Sequence, residues 1–119
     1  MLGLPRKRML KRRNEFQRVY HAGRSYAGRY LVLYVFENRA KRGQRGLVGF
    51  AAGKKLGCAA VRNRVKRVLR EAYRQNQPLV REGVTLLLVG RKPCTKAKSQ
   101  AAGQEFVRLL KKAGAARPC

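Results

Sequence analysis

The chain has 119 residues and is 45% hydrophobic, which is enough to bury one core and predicts a single domain over residues 1–119. Its 30 Lys and Arg residues against five Asp and Glu residues give a net charge of +25. This composition excludes a simple disordered polycation, and the self-repulsion favours a polyanionic partner: nucleic acid first, with a membrane surface as the main competitor.

The cysteines and the apolar runs exclude further classes. Cys58, Cys94 and Cys119 form no C-x-x-C pair, so no metal site is predicted and free thiols in a reducing cytoplasm are expected. The longest apolar runs, at 30–36 and 84–89, are too short to span a bilayer. The basic first residues lack the apolar stretch of a secretory segment, so a cytoplasmic protein is expected.

The first half of the chain predicts one helix followed by three strands. Residues 14–23 predict a helix that has Phe16, Val19 and Tyr20 on one side and ends at a left-handed Gly23. Extended structure is predicted over 25–37 and, after a polar turn at 37–46, over 47–53. Alternation along residues 30–36, the second of the three predicted strands, predicts an aliphatic face and an aromatic face. The aromatic face is formed by Tyr30, Tyr34 and Phe36.

The second half predicts a helix at 58–74, a strand at 84–90 and a helix at 100–114. The strand is uniformly apolar, which is typical of a central strand covered on both faces. The order α-β-β-β-α-β-α predicts an α+β sandwich, a small sheet with helices on it. Residues 1–8 and 113–119 are expected to fray.

The helix at 58–74 separates its charge from its apolar residues. At 100° per residue, an arc of about 100° holds the predicted core contacts, which are Val61, Val65, Val68, Leu69 and Ala72. A basic face that is simply exposed to solvent is one interpretation. It is disfavoured because such a face is usually stabilised by salt bridges to acids one turn away, and Glu71 is the only acid in this helix. Lys54 and Lys55 precede the helix. Their positive charge is unfavourable beside the positive end of the helix dipole, but it would attract a bound phosphate there.

The aromatic residues leave two interpretations open, and no catalytic set is visible. Core packing and base stacking both fit Phe16 and Tyr20 on the helix with Tyr34 on the strand, and packing is the commoner use. The five glutamates are not paired at helical or strand spacing, and there is no Ser-His-Asp set or phosphate loop. The sequence therefore predicts no catalytic residue in the protein.

Residues 53–74, GKKLGCAAVRNRVKRVLREAYR, resemble the signature region of the bacterial ribonuclease P protein family. In that family a Lys-Lys pair precedes a helix that carries Arg-Asn-Arg, an aliphatic residue, Lys-Arg and a further Arg. The segments NEFQRVY, RYLVLYVF and LLLVGRKP resemble the family's first helix, second strand and last strand. The resemblance extends over roughly residues 8–112, by the order of these flanking elements.

The resemblance implies a fold and a function. The fold is a mostly antiparallel sheet with a left-handed β-α-β crossover through the basic helix, opposite to the usual hand. The function is that of the protein subunit of a ribonucleoprotein that removes the 5′ leader from precursor tRNA. The RNA subunit would perform the hydrolysis and hold most of the Mg²⁺. The implied partners are ribonuclease P RNA and precursor tRNA, with no membrane and no obligate protein partner.

The resemblance also implies roles for individual residues. The RNA-binding positions would be Lys54, Lys55, Arg62, Asn63, Arg64, Lys66, Arg67, Arg70, Arg91 and Lys92. The leader-binding positions would be Phe16, Tyr20 and Tyr34. Ala51 and Gly53 stand where the family often has hydroxyl residues, which puts a role of such hydroxyls in doubt here. A structural RNA-binding protein of the ribosomal type is the alternative, and a DNA-binding or membrane-active module is a further one.

Overall fold

The computed structural model describes residues 13–37, 47–81 and 83–116, and within them it has the predicted α+β architecture. In chain order the elements are α1 (Arg13–Ala22), β1 (Arg24–Ala27), β2 (Leu31–Glu37), β3 (Val48–Ala52), α2 (Ala59–Asn76), β4 (Val84–Gly90) and α3 (Ser99–Ala113). Short 3-10 turns follow β3, α2 and β4. The predicted polar turn after Glu37, the first residues of the chain and Cys119 lie outside the described residues.

The four strands form one mixed sheet in the order β1-β2-β4-β3. β2 is antiparallel to both β1 and β4, whereas β3 is parallel to β4. β4 therefore lies inside the sheet, and its side chains are buried on both faces. This position confirms the prediction of a central strand at 84–90.

Different helices cover the two faces of the sheet. The main core lies between the sheet, α2 and α3, and it includes Leu31, Leu33, Val35, Leu69, Leu88 and Phe106. On the opposite face, Val19 of α1 packs against Leu87 in a smaller cluster. Alternate residues of β2 are fully and partly buried, because the α1 face is covered less completely than the other.

The crossover from β3 through α2 to β4 is left-handed. Leu86 belongs to the core on the α2 side, and its backbone N–H donates to the Leu47 carbonyl at 2.9 Å. In a strand of L-residues that runs upward, a residue whose side chain faces the observer directs its N–H to the right. Seen from α2, β3 therefore lies to the right of β4, and the chain moves leftward as it crosses over. This hand is opposite to that of almost all such connections.

Gly23 ends α1 for a different reason from the predicted one. The described glycines with positive φ are Gly57, Gly83 and Gly114, so the expected left-handed end at Gly23 is wrong. A Cβ at Gly23 would lie 2.5 Å from the Val19 carbonyl oxygen and 3.0 Å from that of Val35. Glycine is required there because carbonyl oxygens of α1 and, less closely, of β2 leave no room for a side chain.

Three further expectations need correction. Tyr30 precedes β2 and packs against the main core, so the aromatic face retains Tyr34 and Phe36 without it. Helix α2 continues to Asn76, past the predicted end at residue 74. Residues 113–116 lie in the segment expected to fray, yet Ala115 is fully buried and its carbonyl accepts the N–H of Arg81 at 2.7 Å.

Candidate nucleic-acid interface

Strand direction brings separate basic segments to one edge of the sheet. β3 and β4 are parallel, so their carboxyl ends lie together, and the antiparallel β2 begins at the same edge. The exposed cations at this edge, here named the basic rim, are Arg29 before β2, Lys54 and Lys55 after β3, and Arg91 and Lys92 after β4. Neighbouring strands are about 4.8 Å apart, so these segments form a compact cationic edge.

Arg29 was not singled out by the sequence. Its position follows from the pairing of β1 with β2, which places the connecting turn beside the end of β4. The sequence feature that could have indicated a basic turn here is the adjacent Gly28 and Arg29. Residue type alone could not assign them to an edge, because the limits of the first strand were not fixed.

Helix α2 begins at the same edge. Lys54–Leu56 form a 3-10 turn, and Gly57 has a φ of 137°, a conformation that favours glycine. Cys58 occupies the N-cap position and is exposed. Hydrogen bonds from the backbone N–H groups of Val61 and Ala60 lower the pKa of the Cys58 thiol, because they stabilise the thiolate. The start of α2 thus favours negative charge.

The faces of α2 match the predicted separation. Its buried residues are Val65, Leu69, Ala72 and Tyr73, whereas Val61 and Val68 are half-buried. On the remaining surface Asn63, Arg64, Arg67 and Arg70 are exposed, and Arg62 and Lys66 are half-buried. The helix is therefore anchored by its apolar stripe, while Asn63 and most of its cations face outward.

Several of these arginines are held in place by neighbouring groups. Arg64 donates from Nη1 to the carbonyl oxygen of Thr95, which links α2 to the turn after β4. The Arg70 guanidinium lies 5.9 Å from the centre of the Phe50 ring, a cation–π contact. Arg62 is an exception, because its Nε is buried and has no hydrogen-bond partner among the described residues.

The predicted RNA-binding cations have no ion-pair partners in the described part of the chain. The ion pairs there join Arg74 to Glu71, Arg81 to Glu37 and Arg108 to Glu105. None of these three arginines belongs to the predicted binding set. The rim and the outer face of α2 therefore keep their charge available for a polyanion.

Two tyrosines meet on the opposite face of the sheet. The rings of Tyr20 on α1 and Tyr34 on β2 are 4.8 Å apart at an angle of 72°, an edge-on pair. Tyr20 is 39% exposed, and Tyr34 packs partly buried with Phe36 and Ala51. Partial burial raises the pKa of the Tyr20 phenol, and the neighbouring Tyr34 raises it further. The phenol therefore stays protonated at neutral pH. The side chain of Phe16 lies outside the described residues.

The described residues do not bring metal-ligating side chains together. They contain no group of three or more His, Cys, Asp or Glu side chains placed to hold a metal ion. Cys94 is buried, and burial raises the pKa of its thiol to about 11, so it is protonated and inert at neutral pH. No helix in the described ranges is long and apolar enough to cross a membrane.

Comparison with known proteins identifies the family. Residues 4–114 match the family model described as Ribonuclease P. The chain is 44% identical over 103 residues to the ribonuclease P protein component of Natranaerobius thermophilus, with 87% of each protein covered. It is also 44% identical over 105 residues to that of Symbiobacterium thermophilum, covering 88% of this chain and 90% of the relative.

Solved structures agree with this match. The Staphylococcus aureus RNase P protein superposes with a TM-score of 0.78 at 26% identity, covering 92% of this chain and 98% of that one. The RNase P protein from Thermotoga maritima shares the fold, with a TM-score of 0.74 at 24% identity over 87% and 96% of the two chains. The chain belongs to the ribonuclease P protein family.

Proposed function

We propose that this protein binds the ribonuclease P RNA through the basic rim and α2, and holds the 5′ leader of precursor tRNA on its tyrosine pair. Membership of the family makes the chain the protein component of an endoribonuclease. The observation that carries the proposal is the gathering of exposed cations around the start of α2, which have no acidic partners among the residues that the structure describes. A cytoplasmic location accords with this role.

The RNA-binding surface would act through phosphate neutralisation. Each Lys or Arg that meets a phosphate releases condensed counterions, and Arg adds paired hydrogen bonds. Asn63 is exposed between two arginines and could hydrogen-bond a base or a ribose hydroxyl. The proposed contacts are Lys54, Lys55, Arg62, Asn63, Arg64, Lys66, Arg67, Arg70, Arg91 and Lys92.

The leader would stack on the opposite face of the sheet. Tyr20 exposes part of its ring beside Tyr34, so an unpaired base could lie against this pair. Stacking of that kind is worth about 1–3 kcal/mol per base and needs no particular sequence. Phe16 is included on the family resemblance.

Hydrolysis would belong to the RNA subunit. On the family resemblance, we assign the Mg²⁺ of the reaction mainly to RNA. The protein's part is to bind, to orient the precursor and to neutralise phosphate charge. That neutralisation should lower the Mg²⁺ concentration that the complex needs.

A pair of matched double variants tests the RNA-binding surface. Lys55→Ala with Arg67→Ala removes two exposed cations from it, whereas Lys111→Ala with Lys112→Ala removes two exposed cations from the end of α3. The first variant should bind ribonuclease P RNA more weakly in a filter-binding assay, and its salt slope should fall by about 0.7–0.9 per lost contact. Equal effects of the two variants would contradict the proposed surface.

A further inference from the structure

Glu105 is a buried acid in a strongly basic chain, and it lies under the turn that carries Arg29. It is 7% exposed, on the inner side of α3. Its carboxylate accepts three backbone N–H groups: Arg29 N at 2.8 Å on Oε2, and Tyr30 N at 2.8 Å and Leu31 N at 3.0 Å on Oε1. A charged acceptor makes these bonds stronger than ordinary backbone bonds.

The same turn is held from the other side by Arg91. The backbone N–H of Arg91 donates to the Tyr30 carbonyl at 2.8 Å, and its Nη1 donates to the Gly28 carbonyl at 2.7 Å. Gly28 also donates its N–H to the Leu31 carbonyl at 2.8 Å, which closes the hairpin. Three N–H groups and two carbonyl groups of this turn are therefore satisfied by two residues from distant parts of the chain.

The fit between this turn and α3 admits no side chain at position 28. A Cβ on Gly28 would lie 2.3 Å from Glu105 Oε1, so glycine and the carboxylate occupy adjoining space. The turn is thus fixed against both α3 and the end of β4. Arg29 is left exposed on it, with its guanidinium 5.6 Å from the centre of the Tyr30 ring. Stacking on a ring restricts an arginine side chain and lowers the entropy that binding would cost.

We propose that Arg29 is a further phosphate contact for the ribonuclease P RNA, and that Glu105 is the positioning residue that holds it on the basic rim. This inference rests on the proposed function. Arg29 adjoins Arg91, a proposed RNA contact, and both guanidinium groups belong to one edge of the sheet. The sole carboxylate bonded to this turn among the described residues is turned inward to the backbone. The outward charge is therefore available to phosphate.

The first test compares single charge removals. Arg29→Ala should weaken binding of ribonuclease P RNA about three- to tenfold at low salt and lower the salt slope by roughly one. Lys112→Ala, which removes an exposed cation from the end of α3, should change neither quantity by a comparable amount. If Arg29→Ala behaves like Lys112→Ala while the wild-type protein binds the RNA normally, the inference is wrong and the proposed function stands. A wild-type protein that fails to bind would overturn both.

The second test separates positioning from folding. Glu105→Gln keeps Oε1 for Tyr30 and Leu31 but can turn its amide N–H₂ toward the Arg29 N–H, a donor facing a donor. This substitution should weaken RNA binding several-fold when Arg29 is present and clearly less in the Arg29→Ala background, where Arg91 is the remaining proposed contact bonded to the turn. Its effect on melting temperature should be the same in both backgrounds. Equal weakening of RNA binding in both backgrounds would mean a structural role alone, and would overturn the assignment of Glu105.

Discussion

At the scale of single residues, the candidate leader site depends on an aromatic pair that has two uses. Tyr34 is packed into the smaller cluster, as core aromatics usually are, while Tyr20 beside it exposes over a third of its surface. Sequence spacing favoured packing for all of these residues. The structure separates them, because Tyr20 has its ring against Tyr34 and yet keeps more of its surface exposed.

Tyr20→Ala should therefore lower affinity for leader-bearing precursor tRNA more than affinity for mature tRNA. The loss should be about 1–3 kcal/mol if one base stacks on the ring. Tyr20→Phe is the matched control, since it keeps the ring and should bind nearly as the wild type does. Binding of both RNAs to the reconstituted complex measures the difference, and an equal loss for the two RNAs would show that Tyr20 does not contact the leader.

At the scale of elements, the pattern of apolar residues predicted most of the architecture. β4 occupies the predicted residues 84–90, and α2 buries the predicted Val65, Leu69 and Ala72. The pattern succeeds here because β4 is apolar and buried almost throughout, and because α2 is long enough for its apolar stripe to repeat over several turns. It could not give the role of Gly23 or the side of Tyr30, because both depend on how close a second element passes.

Gly23→Ala tests this close approach directly. The added Cβ would meet two backbone carbonyl oxygens within 3.0 Å, so the free energy of unfolding should fall by about 1–3 kcal/mol. Gly53→Ala is the matched control, because its Cβ would meet nothing within 4 Å and its φ of −71° suits alanine. Urea unfolding compares the two variants. A Gly23→Ala protein as stable as the control would show that the Val19 and Val35 carbonyls do not crowd this position.

At the scale of the whole molecule, a charge of +25 is concentrated by topology as well as by composition. The mixed strand order places the ends of β3 and β4, the start of α2 and the β1–β2 turn at one edge. The sequence, through its family resemblance, predicted RNA-binding roles for the α2 cations and for the pairs at 54–55 and 91–92. It did not predict that Arg29 joins them, since that requires the pairing of β1 with β2 and the hydrogen bonds of Glu105.

The central claim is that this protein assists an RNA enzyme by binding its RNA and the precursor's leader. The most direct measurement is cleavage of a leader-bearing precursor tRNA by a bacterial ribonuclease P RNA at low Mg²⁺, with and without the protein. The protein should raise the cleavage rate strongly at low Mg²⁺ and less at high Mg²⁺, because its cations replace part of the metal's charge. Binding of the RNA with no gain in cleavage at any Mg²⁺ concentration would contradict the claim and indicate a purely structural RNA-binding protein.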